Sequence, residues 1–128
     1  GREIEHALLT SLARHPHVTM HEDHLAIDLL IGSRITDRGS RCTGALVLNH
    51  RDDELLAFHA AFVLLATGGV GQAYRHTTNP EIATGDGVAM AYRAGAEIRN
   101  LEFIQFHPTA LYPAEGRAFL ILKVLSSG

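Results

Sequence analysis

A chain of 128 residues, 46% hydrophobic and with a mean hydropathy near zero, has the material for one folded domain and is not a disordered segment. Its formal net charge of −3 leaves no basic footprint for nucleic acid or an anionic membrane surface. The longest apolar run, near residues 60–66, falls far short of the roughly 20 residues that span a bilayer, and the charged start Gly1-Arg2-Glu3 does not read as a secretory signal. Cys42 is alone, so no internal disulfide forms, in keeping with a reducing, cytoplasmic setting. Nine histidines invite a metal reading, and His17, His21 and His24 have ligand-like spacing. They lie in an extended segment without a cysteine cluster or a helical HExxH, so surface histidines are expected and no metal site.

Residues 1–14 read as a helix: Ile4, Leu8 and Leu12 recur on one face, and Pro16 stops it. Residues 18–22 alternate as a half-buried strand would. Residues 25–31 form a denser run, LAIDLLI, and the polar stretch 32–43 reads as a hairpin loop. Residues 44–49 return as a strand, 50–53 turn, and 54–57 begin a third strand. Together they predict a small antiparallel meander over about residues 18–57. The continuous apolar run Phe62-Val63-Leu64-Leu65-Ala66, closed by Gly68-Gly69, predicts a strand buried on both faces of a parallel sheet. The Thr67-Gly68-Gly69 turn after it is either a ligand-binding turn at a strand's carboxyl end or a turn needed only for chain geometry. Gly69-Val70-Gly71 fails as a dinucleotide fingerprint, because Tyr74 stands where the third glycine belongs.

The stretch 84–112 carries most of the chemistry. Thr84 or Asp86 is placed to cap a small-residue helix over 87–94, which Gly95 ends. Asp86 is thus a cap or a ligand contact. Residues 97–103 read as a strand or extended link. A polar loop then presents Gln105, His107 and Thr109 in close succession.

Four runs in order resemble one known family: Ala66-Thr67-Gly68-Gly69; Tyr74-Arg75 with Thr77-Thr78-Asn79-Pro80; Thr84-Gly85-Asp86-Gly87 with Ala89-Met90-Ala91; and Asn100-Leu101-Glu102-Phe103 with Gln105-Phe106-His107-Pro108-Thr109. They are similar to the flavoproteins of the succinate dehydrogenase, fumarate reductase and L-aspartate oxidase family, and most of all to the L-aspartate oxidase branch. Residues 1–5, 26–30 and 94–103 add to that likeness, which extends over residues 1 to about 121.

The resemblance implies an α/β fold (α+β in isolation): part of an FAD-binding, Rossmann-like domain over 1–105, lacking the family's amino-terminal βαβ unit, with the start of a capping domain over 106–128. It implies FAD contacts at His24, Leu25 and Ala26, at Thr67, Gly68 and Gly69, and at Asp86. Gln105 and His107 match the pair that holds a dicarboxylate over the flavin; no catalytic residue is assigned. The implied reaction is oxidation of L-aspartate to iminoaspartate by hydride transfer to flavin. Oxygen or fumarate would accept the electrons, and a quinolinate synthase would follow in NAD biosynthesis. The resemblance breaks at Leu122, Lys123, Ser126 and Ser127, where the family has a hydroxyl residue, Glu and an Arg-Gly element. Alternatives are a fumarate reductase or succinate dehydrogenase flavoprotein and a non-catalytic structural module. Without a pyrophosphate loop the chain alone is expected to be inactive, to hold FAD weakly or not at all, and to self-associate through uncovered apolar faces.

Overall fold

The computed structural model describes residues 2–33, 39–106, 110–111 and 119–120. Its elements run in the order α1 (Arg2–Ala13), β1 (His24–Ser33), β2 (Ser40–Asn49), β3 (Glu54–His59), a single 3-10 turn (Gly71–Ala73), α2 (Asp86–Arg93), β4 (Ala110–Leu111) and β5 (Phe119–Leu120). Helix α1 forms where its 3.6-residue pattern places it, with Glu3 and Glu5 in the first turn, where the helix dipole favours acids. Its apolar face is nevertheless open: Ile4 is 68% and Leu8 60% exposed.

The meander is an antiparallel sheet in the order β1-β2-β3. It starts at His24, not near residue 18, and its first two strands run on to Ser33 and resume from Ser40, within the stretch 32–43 expected as a loop. Residues 18–22 alternate as a strand would, yet among the described residues they find no strand to pair with, and Val18 and Met20 stay exposed. Asp23, at φ 58°, turns the chain into β1. The turn between β2 and β3 is built from short polar side chains, as its sequence predicts. The Asn49 amide donates to Asp52 Oδ2 at 2.9 Å, and Asp52 Oδ1 accepts the Glu54 N–H at 3.1 Å.

Two irregularities interrupt the β1–β2 ladder, and a side chain answers each one. Ile27 is an extra residue in β1, since Ala26 pairs with Val47 and Asp28 with Leu46. Thr43 is extra in β2, since Leu30 pairs with Gly44 and Ile31 with Cys42. The Thr43 hydroxyl donates to the Leu30 carbonyl at 3.1 Å. A bulge bends a strand and frees main-chain groups from the ladder, and such groups need other partners.

The parallel-sheet strand expected over residues 62–66 does not form. The chain leaves β3 after the Ala60 N–H bonds the Thr43 carbonyl at 2.9 Å, then runs on without regular structure to residue 70. Phe62 is 90% and Leu64 89% exposed. A strand exists only through its neighbours, and among the described residues none lies beside this run. Residues 97–103 form no strand either; Asn100, at φ 61°, opens a turn closed by a bond from the Phe103 N–H to the Asn100 carbonyl at 3.1 Å.

Helix α2 begins at Asp86, and Gly85 holds the N-cap position at φ 80° without a side-chain capping bond, so neither Thr84 nor Asp86 caps it. The Thr84 hydroxyl turns back to the Ile82 carbonyl at 3.4 Å instead. The predicted stop at Gly95 holds: the Ala96 N–H reaches the Ala91 carbonyl and the Gly95 N–H the Tyr92 carbonyl, each at 3.0 Å, the paired bonds of a left-handed glycine terminus. Met90, on this helix, and Ala83 are the buried apolar residues among those described. The architecture is therefore three antiparallel strands with two helices, consistent with an α/β fold.

Candidate functional site

The segment joining β3 to α2 is pinned by one side chain. Gln72 donates through Nε2 to the carbonyls of Asn79 and Pro80, at 3.2 and 3.0 Å, and its N–H bonds the Ala83 carbonyl at 2.9 Å. These bonds fold residues 71–83 into a compact loop. Gly71 makes close packing possible there, since a Cβ would overlap the Asn79 side chain.

The loop, α2 and the segment after it border two open cavities. One, of about 360 Å³, is lined by Gly71, Tyr74, Thr77, Asn79, Gln105 and Phe106, among others. The Tyr74 and Phe106 rings meet edge-on at 5.3 Å and form one wall. The other, of about 650 Å³, is more apolar and is lined by residues including Val70, Val88, Tyr92, Ile98 and Leu101. Tyr74 and Ile104 border both.

The residues that the sequence singles out fall into three places. Thr67 packs directly against α2: a Cβ on Gly87 would overlap the Thr67 hydroxyl. The Thr67-Gly68-Gly69 turn therefore sits at the amino end of that helix, next to Asp86. Gly68, at φ 77°, needs the left-handed region, whereas Gly69 has no such need, and a Cβ there would meet nothing within 4 Å. The packing of the described residues gives no reason for a glycine at position 69. Close approach of a bound molecule would supply one. Asp86 is exposed, and its carboxylate bonds to no other group among the described residues.

Gln105 is exposed on the smaller cavity, whose lining also includes Thr77 and Thr78. His107 and Thr109 lie outside the described residues. His24, Leu25 and Ala26 open β1 opposite Asn49, Leu48 and Val47. His24 sits in a ring cluster, 5.2 Å from His21 and 6.4 Å from Phe58 between centroids, with its Nδ1 2.6 Å from the Glu22 carbonyl. The structure thus brings 67–69 and Asp86 together, with 24–26 on β1 and Gln105 on the smaller cavity.

Sequence reading missed the tie between these places. Arg93, at the end of α2, donates through Nε to Asp28 Oδ2 at 3.0 Å and through Nη2 to the Ile27 carbonyl at 2.8 Å. Asp28 alone interrupts the apolar run of β1, which was the available signal. The Arg93 hydrogen bond, helped by the Leu29 N–H and the guanidinium charge and partly offset by desolvation, holds the Asp28 carboxyl below its usual range. A carboxyl whose folded pKa is depressed adds stability above the unfolded pKa of about 3.9, and loses that contribution as pH falls through the folded pKa. Wild type should therefore exceed Asp28→Asn in urea midpoint only slightly at neutral pH, because the pair is half open to water, and that small gap should close below about pH 4. A gap that stays constant to pH 3 would contradict this.

Residues 1–126 match the profile of the FAD binding domain family. The chain is 48% identical over 125 residues to L-aspartate oxidase 1 of Ralstonia nicotianae, covering 98% of this chain and 24% of that protein. It is 42% identical over 125 residues to the L-aspartate oxidase of Vibrio cholerae, covering 98% and 23%. It is also 50% identical over 113 residues to the chloroplastic L-aspartate oxidase 2-a of Nicotiana tabacum, covering 87% and 17%. The chain spans about a quarter or less of the length of these curated relatives.

Proposed function

We propose, from the premise that this chain belongs to the FAD binding domain family, that it forms part of an FAD-dependent oxidase that converts L-aspartate to iminoaspartate. The names of the relatives support this choice of substrate. The observation that carries the cofactor assignment is the Thr67-Gly68-Gly69 turn seated against Gly87 beside Asp86, where the Cβ position of Gly69 is open. A carboxylate accepts hydrogen bonds and donates none, so Asp86 suits a hydroxyl of the cofactor. The main chain at 24–26 would hold the adenine side. When bound, FAD supplies the two-electron acceptor.

The chain's own part in the reaction is orientation. The Gln105 amide can donate to one substrate carboxylate, and His107 is assigned the same task. Two fixed donors on a dicarboxylate set the direction in which its Cα–H points. Tyr74 and Phe106 wall the cavity beside Gln105. Residues 1–105 would belong to the FAD-binding domain and 106–128 to the start of the capping domain. Oxygen or fumarate would take the electrons onward, in the cytoplasm, and a quinolinate synthase would consume the product.

The test is a visible spectrum of the purified full-length protein. Flavin bands bleached by L-aspartate under anaerobic conditions are expected, with succinate leaving them unchanged. A colourless protein, or one bleached by succinate and not by aspartate, would overturn the reading. The isolated chain should be colourless and inactive. Gly71–Ala73 is a single 3-10 turn, so the glycines before it do not open a phosphate-binding helix. Light scattering should show it self-associated through exposed residues such as Phe62, Leu64 and Ile82.

A further inference from the structure

We propose that Arg93 is a cofactor-positioning residue, which clamps the bulge of β1 to α2 and so sets the strand bearing residues 24–26 against the helix bearing Asp86. The inference rests on the FAD reading above and extends it to groups that would not themselves touch the cofactor. Ile27 is the extra residue in β1, directly after the three residues assigned to the adenine side. Its carbonyl accepts from Arg93 Nη2 at 2.8 Å. Asp28 then uses both carboxylate oxygens, Oδ2 for Arg93 Nε at 3.0 Å and Oδ1 for the Leu29 N–H at 3.1 Å.

A guanidinium is a rigid planar fork, so two acceptors on successive residues fix its orientation as well as its position. Arg93 closes the helix that Asp86 opens, and seven residues of helix span about 10 Å. One side chain therefore links the strand that carries one assigned contact region to the helix that carries the other. The pair is half open to water, with side chains 49% and 37% exposed for Arg93 and Asp28. Half-exposed ion pairs add little to global stability. Its effect should accordingly fall on geometry at the cofactor and only weakly on folding.

The experiment compares Arg93→Ala, Arg93→Lys and a control, Arg99→Ala, in the full-length protein. Among the described residues Arg99 pairs with Glu97 alone, in a bridge whose side chains are 72% and 70% exposed. The readouts are the Kd of the apoprotein for FAD and the Tm of the apoprotein, neither of which requires turnover. Arg93→Ala should weaken FAD binding roughly tenfold, the size expected for losing a charged hydrogen bond. Lysine can serve one of the two acceptors, so Arg93→Lys should fall between. Tm should barely move, and Arg99→Ala should match wild type. Unchanged FAD affinity in Arg93→Ala would overturn the proposal, as would a loss of affinity matched by a parallel fall in Tm. A wild-type protein that binds no FAD would instead bring down the cofactor assignment, and this inference with it.

Discussion

Replacing Gly44 by alanine should disrupt the three-stranded sheet. Gly44 is buried in the middle strand, beside the Thr43 bulge, at φ 154°. An added Cβ would overlap the Phe58 carbonyl oxygen and stand 2.9 Å from its carbon and 3.0 Å from the His59 Cα. All three atoms belong to the backbone of β3, so no rotamer change relieves the clash. The strand must move away, and the β2–β3 ladder from Gly44–His59 to Asn49–Glu54 is what would be lost. Overpacking costs about 1–3 kcal/mol where side chains can yield, and strained backbone adds about 1–3 kcal/mol, so about 3 kcal/mol or more is expected here. That is a large share of the roughly 5–15 kcal/mol that holds a domain folded. The thermal midpoint followed by circular dichroism is the measurement. Gly39→Ala, whose Cβ would meet nothing within 4 Å, is the matched control and should leave the midpoint unchanged. A Gly44→Ala protein as stable as the control would refute the assignment of a close backbone crossing.

Local pattern made the helices and the meander legible. Ile4, Leu8 and Leu12 mark α1, the Asn49–Asp52 chemistry marks the β2–β3 turn, and Gly95 marks the end of α2. Each of these signals acts within a few residues of itself. The errors came where structure depends on a remote partner. Residues 62–66 carry a strand's composition, but Phe62 and Leu64 lie open because strand formation is decided by a neighbouring strand. Residues 18–22 fail for the same reason. The N-terminus of α2 was misread differently: Thr84 and Asp86 are good capping types, yet Gly85 takes the cap because the chain enters the helix at a positive φ beside Val70. For the candidate site, the adjacency of 67–69 and Asp86 rests on the contact between Thr67 and Gly87, and sequence spacing does not reveal a contact across twenty residues. The Arg93 clamp was invisible for the same reason, since its partners lie 65 and 66 positions away. The bulge that exposes the Ile27 carbonyl has no sequence signature at all.

The contact between Thr67 and Gly87 is also where stability and the proposed site can be separated by experiment. Gly87 is buried in the first turn of α2, and an added Cβ would overlap the Thr67 hydroxyl while standing 3.1 Å from its Cβ and 3.2 Å from its methyl group. These are side-chain atoms of an exposed residue, so the chain can respond by pushing the 67–69 turn away from Asp86. Gly87→Ala should cost about 1–3 kcal/mol, within the range for forced overpacking, softened by the better helix propensity of alanine. Of these three contacts, Thr67→Ala removes those of the hydroxyl and the methyl group and leaves the one at 3.1 Å. The double variant should recover most of that loss, giving a coupling of at least about 0.5 kcal/mol in a double-mutant cycle of urea midpoints. In the full-length protein the same cycle should appear in the Kd for FAD, weakened in Gly87→Ala and restored in the pair, because both quantities depend on the turn lying against the helix. Additive effects in both measurements would show that Thr67 and Gly87 do not touch. Coupling in stability without coupling in FAD affinity would leave the packing intact and remove the 67–69 turn from the cofactor site.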